Sequence, residues 1–260
     1  MMLAWSPGTD GPVTADVVAV PEDITPAGIQ GFLASVEGKF VLMGPAEITC
    51  RPNENWAEYA TEESFERMQE TRQEIRQGWR ELMRGAGGLG TDALEEAGAL
   101  GIFTSSWPGG WGVRRVFSAG TETIPNISLS CEDYCLLHRL AVNDQSPVVR
   151  VEAESSFGDP APTFNVIGEM RGTEKPDEYI VLSAHFDTWD GGSGATDNNS
   201  GSVNMMETLR ILSEVYPNPK RTIIAGLWDS EEQGLNGSRA FVADHPEIVE
   251  NIHAVFNQDN

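Results

Sequence analysis

Three short apolar runs in the last third of the chain, each ending abruptly at ionisable side chains, constrain the fold more than any other feature. The first, Tyr179–Ala184, runs into His185 and Asp187, the second, Arg221–Trp228, into Glu231 and Glu232, and the third, Ala254–Gln258, into Asp259. A glycine-rich loop carrying Asp197 follows the first run. Segments with helical character, Ser202–Val215 and Gly237–Ala243, separate the runs, and a further strand is expected over Phe164–Met170. Strands alternating with helices imply crossover connections and a sheet that is at least partly parallel. In such sheets ligands gather at the carboxyl ends of the strands, where these acids stand.

The preceding residues read differently. Turn signals alternate with short apolar runs (SPGTDGP, VTADVVAV, PEDITP, GKFVLMGP), which reads as strands joined by tight turns, with a short helix over Pro26–Val36. Over about residues 55–84 apolar residues recur at helical spacing among Glu and Arg, predicting an amphipathic helix or helical pair inserted in the β-rich region. Further on, a short helix ending near Gly98, strands over Ala99–Thr104 and Val113–Phe117, and a helix capped by Ser130 are expected. Ser155–Pro162 reads as a linker. The expected organisation is a β-rich domain over 1–154 and part of an α/β/α domain with a mixed sheet over 155–260.

Composition bears on partners. Lys+Arg 17 against Asp+Glu 40 gives a formal charge of −23, which excludes nucleic-acid or anionic-membrane binding through a general basic field. No run approaches the roughly 18 apolar residues of a membrane span, and the first residues carry no signal-peptide pattern. The three cysteines, Cys50, Cys131 and Cys135, are odd in number and poorly spaced for a structural zinc site, which argues against a disulfide scaffold and leaves one bridge open. His138, among leucines, reads as a satisfied, partly buried helix residue without chemistry.

One imidazole and several carboxylates converging from separate strand ends describe a metal site better than an acid–base pair. Zinc takes both donor types, and a carboxylate has two oxygens with which to bridge two ions. Adjacent glutamates can divide the labour, one on metal and one free as general base. Asp187 is a candidate to hold the second ring nitrogen of His185. Taken singly, Asp197 would read as a helix cap and Glu231–Glu232 as an exposed pair; their joint placement favours the metal site.

AHFDTWDGGSGATDNNSG, LWDSEEQGLNGS and FNQDN resemble the signature blocks of the co-catalytic dizinc exopeptidases, which include leucyl-type aminopeptidases, carboxypeptidase Q and glutamate carboxypeptidase, with transferrin receptor as a non-catalytic relative. The resemblance implies that His185 and Asp259 bind one zinc, Asp197 bridges two, and Glu232 binds the other. It also implies Glu231 as general base, Asp187 as the orienter of His185, and a cis peptide after Asp197. GKFVLM, AGALGIFT and IPNISLSCEDYCLLHRL more loosely resemble a protease-associated domain, a small β-sandwich-like module.

By that resemblance the second zinc needs one more histidine, and neither His245, at a helix end, nor His253, ahead of its strand, substitutes. The chain is therefore expected to be an internal piece of a longer peptidase. The expected activity is hydrolysis of a terminal peptide bond in a peptide or dipeptide, by an aminopeptidase or carboxypeptidase holding two zinc ions when full-length. A secreted or periplasmic location and a homodimer fit the same family. Two alternatives stand beside it: a receptor-like or scaffold relative without metals, and an amidohydrolase acting on a non-peptide amide.

Overall fold

The computed structural model describes residues 1–85, 89–107, 109–110, 119–189 and 191–260, which separate into two units, Met1–Gly158 and Asp159–Asn260. The expected strand over Val113–Phe117 lies outside the described residues.

The first unit runs β1 (Val13–Ala19), α1 (Pro26–Leu33), β2 (Phe40–Leu42), α2 (Asn53–Tyr59), α3 (Glu62–Gly85), α4 (Thr91–Glu96), β3 (Gly101–Thr104), β4 (Asn126–Ser128), α5 (Cys131–Val142) and β5 (Val148–Val151). Its described strands form one sheet in the order β4-β3-β2-β1-β5. The first four are parallel and β5 is antiparallel to β1. Tight turns between neighbouring strands were expected; helices join β1 to β2 and β2 to β3 instead, because parallel strands need crossovers. Residues of alternating parity feed opposite faces. Phe40, Leu42 and Phe103 pack with Tyr134 and Cys135 of α5, whereas Val41 and Ile102 pack with Ile29 of α1 and Leu94 of α4.

Local signals hold in this unit. Ser130 caps α5 by accepting the Asp133 N–H at 3.1 Å. Gly98, at φ +81°, lets the chain reverse after α4 at the place a glycine stop was expected. The region of helical spacing is a pair, α2 and α3. The one bridge left open is Cys50–Cys131, and the buried Cys135 remains a thiol. His138 is buried, with Nε2 4.0 Å from Glu22.

The second unit runs β6 (Val166–Met170), β7 (Lys175–His185), α6 (Asn199–Val215), β8 (Arg221–Trp228), α7 (Asn236–Asp244), α8 (Pro246–Val249) and β9 (Ile252–Asn257). The sheet order is β6-β8-β7-β9, with β7 parallel to both β8 and β9 and β6 antiparallel to β8. Leu182, Ala184, Ile223, Ala225 and Leu227 pack under Met205 of α6. On the other face Val181 and Trp228 pack against Phe241 of α7. Burial on both faces explains why β7 and β8 read as continuous apolar runs rather than alternating ones. This is the mixed-sheet α/β architecture expected for 155–260.

Candidate metal centre

Parallel pairing brings the carboxyl ends of β7, β8 and β9 to one edge. His185 is the last residue of β7 and lies opposite Trp228, the last of β8. Ser183 lies opposite Asn257, the last of β9, and its carbonyl accepts the Gln258 N–H at 3.0 Å. His185, Asp187, Glu231, Glu232 and Asp259 therefore leave the sheet within a few residues of the same line, and Asp197 comes from the loop that leads from β7 to α6.

His185 is 3% exposed. Its Nε2 lies 3.2 Å from Asp197 Oδ1, 3.3 Å from Asp259 Oδ1 and 3.9 Å from Glu231 Oε2. Nδ1 faces the other way, 3.2 Å from the Asp187 carbonyl and 3.4 Å from Asp187 Oδ1. One ring nitrogen is thus held by Asp187 and the other is presented to three carboxylates. The donor atoms of His185, Asp197 and Asp259 lie within 4.8 Å of one another, a set able to hold one cation. Glu232 is outside that set.

Asp187 does more than was expected of it. Its Oδ1 accepts the Glu231 N–H at 3.1 Å and its Oδ2 accepts the Glu232 N–H at 3.2 Å, so one carboxylate ties the β7 end to the β8 loop. The Asp197–Asn198 peptide bond is cis. Asn198 is fully buried: Nδ2 donates to the Gln258 carbonyl at 2.9 Å, and Oδ1 accepts the Gly201 N–H at 3.2 Å. Ser202 Oγ, one turn into α6, donates to the His185 carbonyl at 2.7 Å. Asn198 and Ser202 were not singled out from sequence. Asn198 carried a signal, because DNNSG reads as a cap, but a cap that also reaches across to β9 has no local signature.

The electrostatics follow from crowding. Burial pushes the Glu231 carboxyl above its ordinary range; His185 opposes this, and Asp259, Asp187 and Asp197 add to it. Glu232 is raised by burial and by Asp197. For His185 burial acts downward, but the hydrogen bond to Asp259 and the charges of Glu231, Asp187 and Asp259 outweigh it and leave the imidazole raised. One imidazolium cannot balance this many carboxylates, so the donor set fits added cationic charge.

His245 and His253 stand elsewhere. The His245 ring packs 4.9 Å from that of Phe241. His253 lies inside β9 rather than ahead of it, near its amino end, with Nε2 3.1 Å from Glu178.

A mixed α/β fold with an imidazole and acids gathered at parallel strand ends is an arrangement suited to holding a cation. Residues 165–260 match Peptidase family M28. Carboxypeptidase Q from Xenopus laevis is 31% identical over 136 residues, 52% of this chain and 29% of that protein. The chain thus spans under a third of that relative. Among solved structures, a peptidase M28 precursor from Shewanella amazonensis superimposes with a TM-score of 0.70 at 23% identity, covering 100% of this chain and 54% of that one. A zinc aminopeptidase from Bacillus subtilis gives 0.59 at 19% identity, covering 100% and 52%. At these identities the structural likenesses establish the fold.

Proposed function

We propose that the strand ends of the second unit form part of the site of a zinc-dependent exopeptidase, which hydrolyses terminal peptide bonds. The observation that carries this reading is the convergence of His185 Nε2 with Asp197 at 3.2 Å and Asp259 at 3.3 Å. His185 and Asp259 are assigned to one zinc ion, Asp197 to the bridge between two, and Glu232 to the second. Bound zinc would supply a polarised water and positive charge to offset that growing on the scissile carbonyl oxygen.

The chain's own residues supply the rest. Glu231, close to the donor set and pushed upward by burial, takes the proton of the attacking water and returns it to the leaving amine. Asp187 fixes the imidazole through Nδ1 and the glutamate backbone through its two oxygens. The zinc named for the Bacillus subtilis neighbour and the carboxypeptidase named for the Xenopus relative support zinc and peptide hydrolysis. The Cys50–Cys131 bridge supports an oxidising, secreted or periplasmic setting. A homodimer rests on family resemblance.

The test is Glu231→Gln in the protein that carries these residues. Zinc content should stay unchanged while turnover falls by about 10²–10⁴-fold, the contribution typical of a general base. Turnover near that of the parent would remove Glu231 from this role.

A further inference from the structure

All three cysteines of the chain meet in one place in the first unit. Cys50 comes from the loop after β2, Cys131 from the first turn of α5, and Cys135 from the next turn of the same helix. The Cys135 sulfur lies 3.9 Å from that of Cys50 and 4.0 Å from that of Cys131. Being nearly equidistant from both, it sits broadside to the bridge and not in line with it, whereas thiol–disulfide exchange requires attack on one sulfur along the bond. The triangle suits coordination better. Three thiolates about 2.3 Å from a single ion at tetrahedral angles lie about 3.8 Å apart, close to the two separations observed. The Cys50–Cys131 edge alone is shortened, by the bridge.

We propose that Cys50, Cys131 and Cys135 form a three-thiolate site for a soft d¹⁰ cation such as Zn²⁺ once the bridge is reduced. A dithiol supplies two electrons and two protons: the Cys50–Cys131 bond breaks to give two thiols, and the dithiol becomes a disulfide. Binding of the cation then forms three metal–sulfur bonds and releases three protons.

The start of the helix favours thiolate at Cys131. Cys131 opens α5, where the free N–H groups and the helix field stabilise negative charge. At Cys135 burial, with the charges of Glu47 and Glu132 adding to it, leaves the thiol above its ordinary range despite Arg139, and the thiol donates to the Glu47 carbonyl at 3.7 Å, so the cation must displace that proton. Cys131 and Cys135 are fixed by the helix and buried, while the half-buried Cys50 comes from the loop after β2. The same side chains are thus a bridge under oxidising conditions and a metal site under reducing ones.

Cd²⁺ is the probe, because sulfur-to-cadmium charge transfer absorbs in the ultraviolet and the histidine–carboxylate cluster, having no sulfur, contributes none. Failure here is therefore separable from failure of the peptidase assignment. The whole chain, reduced with a trialkylphosphine, should develop the band to saturation at one Cd²⁺ per chain, while the oxidised chain shows none. Cys135→Ser, treated in the same way, should lose most of the band and bind more weakly. A reduced chain with three titratable thiols and no band would overturn the site, as would a Cys135→Ser band equal to that of the parent. Circular dichroism covers the remaining case: if reduction unfolds the first unit and Cd²⁺ does not restore it, the site does not exist.

Discussion

The Asp187 carboxylate accepts the backbone N–H of Glu231 at 3.1 Å, so the residue that follows one strand sets the position of the residue that follows its neighbour. Its second oxygen does the same for Glu232 at 3.2 Å. Charge-assisted bonds of this kind are about twice as strong as neutral ones. Both glutamates are therefore aimed by an acid that itself touches His185.

Replacement of Asp187 by Ala should release both glutamate amides and one ring nitrogen together. The expected outcome is a 10- to 100-fold loss of zinc affinity, the usual consequence of removing an outer partner of a metal ligand. Isothermal titration with zinc is the check. Asp187→Asn can still accept one N–H, and should recover part of the loss; equal defects in both variants would argue against the carboxylate's bridging role.

Asn198→Ala removes a fully buried amide that joins the Asp197 loop to the segment leading to Asp259. Leaving the Gln258 carbonyl and Gly201 N–H unpaired should cost about 1–3 kcal/mol of stability. Urea denaturation of the chain should show it as a lower midpoint with unchanged slope. A midpoint within error of the parent would mean that water replaces the amide fully.

Glu95 predicts a pH dependence for the first unit. Burial raises its pKa, but hydrogen bonds from the Thr123 side chain and from the backbone of Glu122, Thr123 and Ile124 outweigh burial and leave it below 4.5. A carboxyl whose folded-state pKa is depressed stabilises the fold above its unfolded pKa, and this stabilisation is lost as pH falls through the folded value. Glu95→Gln should therefore cost stability at pH 7, by about 1 kcal/mol for the weakened hydrogen bonds. It should also flatten the decline in stability on the acid side, where this carboxyl takes up its proton. Denaturant midpoints measured between pH 3 and pH 7 (roughly the span in which carboxylates titrate) decide it, and parallel curves for variant and parent would refute it.

How far the chain could be read in advance varied with the range of the forces involved. β8 was legible to the residue because Ile223–Trp228 is apolar throughout and the segment is bounded by YPNPK and an acidic turn. His185, Asp197 and Asp259 could be brought together from sequence because parallel pairing sends strand ends to one edge, whatever the details. Asn198 and Ser202 were not legible, since their partners lie 60 and 17 residues away and polar side chains carry no periodicity. The first unit misled for a related reason. Its strands are only three to seven residues long. At that length Gly- and Pro-rich ends look alike whether a hairpin or a helical crossover follows. Likewise, the spacing of 81 residues between Cys50 and Cys131 gave no hint of their pairing.

β9 is one of the two edge strands of its sheet as described, and Asp259 follows its last residue by two. Side chains alternate along a strand, so a slip of one residue would turn Asp259 away from His185 and bring Gln258 or Asn260 in its place. The Gln258 amide on Ser183, and the Asn198 and Asn204 side chains on Gln258, oppose that slip from three directions. The anchoring of Gln258, which itself offers no ligand, therefore acts as proofreading of the alignment, deciding which neighbour faces the imidazole.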